Sequence, residues 1–182
     1  MDEQKAAARS AMVGVVGRTN AGKSTIVNRL VGEKVSIVSP VEQTTRNTIR
    51  GIVADARGQL VLLDTPGLHK AVGPLGRLLN GMARASSAGT DILCVVFDAA
   101  HEPQLEDEGW MARVAKECPE KCVFTLNKCD RAPFYETMFR DLWKEVSARP
   151  VKGRDAAAPA VAPVWVLAAT AASGSSVERR SR

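Results

Sequence analysis

The 182-residue sequence contains no run of the roughly 18 uninterrupted apolar residues that a membrane-crossing helix needs. Its opening stretch, MDEQKAAARSAM, has no apolar core long enough for a secretory signal. The same stretch is Ala-rich and carries Lys5 and Arg9, which leaves an organelle-targeting segment open. No CxxC pair occurs among the four cysteines, Cys94, Cys118, Cys122 and Cys129, and Cys118 and Cys122 have no matching histidines. A zinc ribbon and a dithiol redox motif are thereby excluded, and reduced thiols packed as small apolar groups are expected. Such thiols fit a reducing cytosol or an organelle matrix. Internal repeats are absent, which excludes a solenoid.

What is present reads as one globular domain, with 45% hydrophobic and 25% charged residues. The net charge is +5, but its location matters more than its sign. Residues 149–182 hold six basic side chains against two acidic ones (Asp155 and Glu178), so the body before them is nearly neutral. A basic tail of this kind is by itself a solvated segment rather than a nucleic-acid surface.

Short β-rich runs alternate with helix-like segments, the pattern of an α/β fold around a mostly parallel sheet. Strands are expected at Met12–Gly17, Ile49–Ala54, Gln59–Asp64, Ile92–Phe97, Cys122–Leu126 and Val164–Ala168. Helices are expected at Ser24–Val31, Leu75–Ala88, Asp107–Glu117 and Phe134–Val146, with a loop over Arg149–Pro163. The short Asp55–Gly58 link between two strands predicts a hairpin, and with it one antiparallel edge strand. The alternation gives a three-layer α/β fold, mostly parallel with one antiparallel edge strand. With the G-x-x-x-x-G-K-[ST] run at Gly17–Ser24, the expected fold class is a phosphate-loop NTPase fold.

Four spaced signals then converge on one ligand. Gly17-Arg-Thr-Asn-Ala-Gly22-Lys23-Ser24 fits G-x-x-x-x-G-K-[ST], leaving a strand and opening a helix. Its glycines let the backbone wrap phosphate oxygens, with Asn20, Ala21, Gly22 and Thr25 completing the cradle. Lys23 would neutralise the β- and γ-phosphates, and the Ser24 hydroxyl would ligate Mg²⁺. Asp64-Thr-Pro-Gly67 ends the apolar run LVLLD, which puts a magnesium-holding carboxylate at a strand end and the Gly67 amide toward a γ-phosphate. Asn127-Lys128-Cys129-Asp130 follows CVFTL. The Asp130 carboxylate can accept both N1–H and the 2-amino group of guanine, donors that adenine lacks. Lys128 would lie over the base. Gln43-Thr44-Thr45-Arg46 supplies a threonine, Thr45 first and Thr44 second, to complete the Mg²⁺ shell. A weaker fifth element, Thr170-Ala171, would offer an amide to guanine O6. The ligand is thus GTP or GDP with Mg²⁺, and Lys23, Thr45 and Gly67 are the residues expected at the reacting phosphate.

These residues resemble the Era family of GTPases. The likeness rests on VGEKVSIVSP (31–40), QTTRN (43–47), IRGI (49–52) and DTPGLHK (64–70), within a span of about residues 12–175. It implies a G domain over 12–175, a lead segment over 1–11 and a basic tail over 176–182. It also implies slow GTP hydrolysis, since Leu68 stands where other GTPases place a water-orienting glutamine. Asn20 by the same likeness would help to bind K⁺ beside the phosphates. The expected setting is small-ribosomal-subunit assembly with rRNA or an assembly intermediate as partner, in the cytoplasm or, alternatively, an organelle matrix. Peripheral membrane contact is admitted, and oligomeric state is left open. Family members carry an RNA-binding KH domain after the G domain, and no such module follows here, which weakens the RNA expectation. The alternatives are a nucleotide-gated binding module with little hydrolysis and, less consistent with Asp130, an ATP-using kinase.

Overall fold

Apolar, β-branched runs form a six-stranded sheet among the described residues, in the order β2-β3-β1-β4-β5-β6. The structure is a computed structural model and describes residues 9–32, 49–64, 90–117, 121–150 and 162–169. The strands are β1 (Arg9–Val16), β2 (Ile49–Asp55), β3 (Gly58–Asp64), β4 (Ile92–Asp98), β5 (Cys122–Asn127) and β6 (Val164–Ala168). The described helices are α1 (Lys23–Val31), α2 (Leu105–Glu117) and α3 (Glu136–Ala148). All strand pairs are parallel except β2 with β3, so the expected antiparallel edge is present. In its hairpin turn the Asp55 carboxylate accepts the Arg57 N–H at 2.8 Å.

Side chains alternate across each strand, and the core divides accordingly. Val13, Val15, Leu62 and Val96 face α1 and pack on Val27. Their neighbours Val16, Val95 and Phe97 face the other way, into a larger cluster with Phe124 and Leu126. There Trp110, Met111 and Val114 of α2 and Phe139, Trp143 and Val146 of α3 close the second layer. Phe124 meets Phe97, Trp143 and Trp165 edge-on, with ring centroids 5.2, 5.0 and 5.1 Å away. Edge-to-face packing of this kind adds to what burial alone contributes. Of the cysteines, Cys94, Cys122 and Cys129 are free thiols, and Cys122 is buried in the larger cluster.

Several element ends differ from the sequence expectation, each for a physical reason. β1 begins at Arg9 rather than Met12, because Arg9–Ala11 pair with Gly58–Leu60 of β3 although they are polar or small. Helix α2 begins at Leu105, two residues early. The Asp107 carboxylate accepts the Gln104 N–H at 3.0 Å, half of a capping box, so Asp107 sits inside the first turn rather than opening it. Helix α3 begins at Glu136 rather than Phe134, because the Tyr135 N–H is held by the Ala99 carbonyl at 2.9 Å. Phe134 packs on the core from outside the helix. The expected helix at 75–88 and most of the loop at 149–163 lie outside the described residues.

Candidate nucleotide-binding site

The parallel strands deliver their C-terminal ends to one edge of the sheet. Val15 is paired with Asp64, Asp98 with Asn127, and Asn127 with Ala168. β1 lies between β3 and β4, so the strand order reverses beside the loop that leaves β1. In open α/β sheets that switch point is where ligands bind.

Gly17 leaves β1 with φ +145°, and a methyl there would meet the Val96 carbonyl oxygen at 2.2 Å. Gly22 has φ +95°, and its methyl would lie 2.1 Å from Asn127 Nδ2. Asn20 between them also has positive φ, at 59°. A loop that mixes left-handed residues with ordinary ones gathers successive N–H groups around an anion. The same loop opens α1, whose first turn has no acidic residue and whose N-cap, Gly22, makes no side-chain bond. The positive end of this helix is thereby left to an external anion.

Lys23 is buried in this cradle, 6% exposed, and its Nζ donates to the Arg18 carbonyl at 2.8 Å. Burial pushes its pKa down to about 8; Asp64 draws it up again and Arg18 pushes it further down. Asp64 itself is fully buried at the end of β3. Ser24 and Thr25 are half-buried in the first turn of α1, and Ala21 is fully buried.

The second loop is tied to the first through one side chain. Asn127, buried at the end of β5, donates from Nδ2 to the Ala21 carbonyl at 2.8 Å. Its Oδ1 is buried without a hydrogen-bond partner among the described residues. Lys128 takes φ 65°, turning the chain sharply after the strand. The Cys129 N–H then donates to the Ala168 carbonyl at 3.1 Å, and the Arg131 N–H to the Lys128 carbonyl at 3.0 Å. Asp130 is left exposed at the tip. Arg29 of α1 donates to the Ala169 carbonyl at 2.8 Å, just before the expected Thr170-Ala171 element.

The structure therefore brings together Gly17, Asn20, Ala21, Gly22, Lys23, Ser24, Thr25, Asp64, Asn127, Lys128 and Asp130. Thr44, Thr45, Gly67, Leu68, Thr170 and Ala171 lie outside the described residues. Sequence reasoning passed over four residues at the same edge: Arg18, Asp98, His101 and Asp107. Asp98 accepts from Lys128 Nζ at 2.5 Å and lies 3.2 Å from His101 Nδ1. Arg18 lies 3.4 Å from both Asp98 and Asp107. Burial alone would raise the Asp98 pKa, but Lys128, Arg18 and His101 outweigh it and hold the carboxyl below its ordinary value. The signal was legible: ILCVVFD ends an apolar strand in a carboxylate just as LVLLD does.

A cradle that admits no side chain at two glycines and a buried lysine within it fit a nucleotide phosphate. With the Asn127–Asp130 loop tied alongside through Asn127, fold and site define the class: a P-loop GTPase domain. Residues 12–128 match the family described as "50S ribosome-binding GTPase". The GTPase Era of Rippkaea orientalis is 41% identical over 125 residues, covering 69% of this chain and 40% of that protein. A crystal structure of Era with MgGDPNP and nucleotides 1506–1542 of 16S ribosomal RNA superposes with a TM-score of 0.68. There the identity is 28%, over 79% of this chain and 50% of the other. An Aquifex aeolicus Era variant bound to GDP.AlF4⁻ gives 0.65 at 30% identity, over 76% and 46% of the two chains. The chain belongs to the 50S ribosome-binding GTPase family, and its G domain is similar to that of Era. It spans about two-fifths of the length of the curated relatives it matches.

Proposed function

We propose that this chain is a guanine-nucleotide switch that binds GTP and GDP with Mg²⁺ and hydrolyses GTP. The observation that carries it is the Asn127–Ala21 bond, which fixes a base-reading loop against a phosphate loop holding a buried Lys23. Residues 12–175 would form the G domain, with 1–11 as lead and 176–182 as tail.

Within this reading the loop amides from Gly17 to Ser24 hold the phosphates, and Lys23 gives its charge to the β- and γ-oxygens. Ser24, Asp64 and Thr45 would hold the metal, which when bound neutralises charge on the phosphates. Gly67 would sense the γ-phosphate through its amide. Asp130 selects guanine by accepting from the ring N1–H and the exocyclic 2-amino group, and Lys128 covers the base. Thr170 and Ala171 would close the base pocket, and Asn20 would help to hold K⁺. Leu68 cannot orient an attacking water, so turnover without a partner is slow. Small-subunit ribosome assembly is the proposed setting, supported by likeness to an Era solved with 16S ribosomal RNA.

The test is binding of MgGDP to the purified chain, followed by multiple-turnover phosphate release from GTP in K⁺ and in Na⁺. Binding with release, faster in K⁺, is expected. Binding without release would leave a nucleotide-gated module and remove the enzymatic claim. Lys23→Ala is expected to weaken triphosphate binding by about 100-fold or more, the scale of losing a charge-assisted contact in a desolvated site.

A further inference from the structure

Three chain segments meet at one buried carboxylate that none of the nucleotide-binding motifs includes. Asp98, 2% exposed, ends β4 between the phosphate loop and the base-reading loop. One of its oxygens, Oδ1, accepts the Ala100 N–H at 3.3 Å, which fixes the side chain on its own turn. The other, Oδ2, accepts from Lys128 Nζ, the lysine expected over the base. The same oxygen lies 3.4 Å from Arg18 Nη2, a residue within the phosphate loop. His101 Nδ1 approaches it at 3.2 Å from the exposed side. Arg18 is held from behind as well, its Nε lying 3.4 Å from Asp107 Oδ2 at the start of α2.

Two cations from two nucleotide-contacting loops thus share a single oxygen. If either loop shifts its cation, that buried carboxylate loses part of its compensation, which is costly. Lys128 has no other acceptor among its hydrogen bonds in the described residues, so Asp98 decides where its ammonium lies and hence where its stem runs.

We propose that Asp98 is a positioning residue for guanine-nucleotide binding, the common anchor that sets the base-covering Lys128 and the phosphate-loop Arg18 in register. This rests on the guanine-nucleotide reading above. Asp98 touches no part of the nucleotide in it and acts through Lys128.

The experiment is a double-mutant cycle on MgGDP affinity, with the whole 182-residue chain and with thermal unfolding followed alongside. Asp98→Asn keeps the shape and removes the charge. It is expected to weaken MgGDP binding about tenfold when Lys128 is present, and by less than about twofold when Lys128 is already Met. A merely structural role would give the same loss in both backgrounds, and that additive result overturns the proposal. Were Asp98→Asn not to fold, the cycle is run between Arg18→Gln and Lys128→Met, two residues joined through Asp98. Coupling of about threefold or more is expected there, and independence overturns the proposal. If the unmodified chain binds no MgGDP, the guanine-nucleotide reading itself fails; if it binds and the cycle is additive, only the role of Asp98 fails.

Discussion

Asp130 stands exposed at the tip of its loop, open to an incoming ligand. Substituting Asp130→Asn changes one acceptor into a donor, so guanine leaves a donor facing a donor while xanthine, with a carbonyl there, does not. Affinity for GDP is expected to fall by about 100-fold or more and affinity for XDP to rise, as read by competition binding. An unaltered preference for GDP would falsify the assignment of Asp130 to base recognition. Asp107 poses a different residue-scale question. Burial pushes its carboxyl up to about 6 from an ordinary 3.8; the Gln104 N–H and Arg18 pull it down, while Glu106 and Asp98 add to the rise. The folded chain therefore holds this proton more tightly than the unfolded one does. Its contribution to stability is fully present below about pH 4 and is lost as pH rises through about 6. Relative to Asp107→Asn, which keeps the size and loses the titration, the parent should lose up to about 3 kcal/mol across that window. Denaturant unfolding of both forms from pH 4 to 7 measures it, and parallel curves would remove the claim.

At the scale of elements, the glycines show how a turn can be legible while its consequence is not. Gly17 and Gly32 both have positive φ, at +145° and +83°. Gly32 ends α1, its N–H donating to the Asn28 carbonyl at 3.0 Å, and a methyl there would meet nothing within 4 Å. Gly32→Ala should cost only about 1 kcal/mol, the strain of a left-handed alanine. Gly17→Ala adds a clash with the Val96 carbonyl to comparable strain, and a loss of about 3 kcal/mol or more is expected in the nucleotide-free protein. Equal unfolding midpoints for the two variants would show that the β1–β4 contact at Gly17 yields. The G-x-x-x-x-G-K-[ST] spacing announces both loop glycines, but not that Gly17 is pressed on β4 and Gly22 on the Asn127 amide. The helix starts were misplaced on similar grounds. Apolar periodicity begins α3 at Phe134, and only the Tyr135–Ala99 hydrogen bond delays it to Glu136.

For the molecule as a whole, a ligand that binds only the folded state must stabilise it. At 100 times its dissociation constant, MgGDP is expected to add about 2.7 kcal/mol to unfolding, visible as a rise in melting temperature. MgADP at the same concentration should add far less, and equal shifts would remove guanine selectivity. The sequence by itself determined the α/β class, the antiparallel β2–β3 edge and the placing of the G-x-x-x-x-G-K-[ST] and NKCD motifs at the ends of β1 and β5. Those features follow from local rules: hydrophobic period, turn residues, and strands that end in polar groups. Tertiary structure alone decided which loops touch. No local pattern brings Asn127 onto Ala21, 106 residues earlier, or gathers Arg18, Asp98, Asp107 and Lys128 into one network. Such pairs are set by strand order, which places β4 and β5 beside the loop that leaves β1. Burial then makes each polar partner obligatory, because a charge or amide taken out of water must be matched inside the protein.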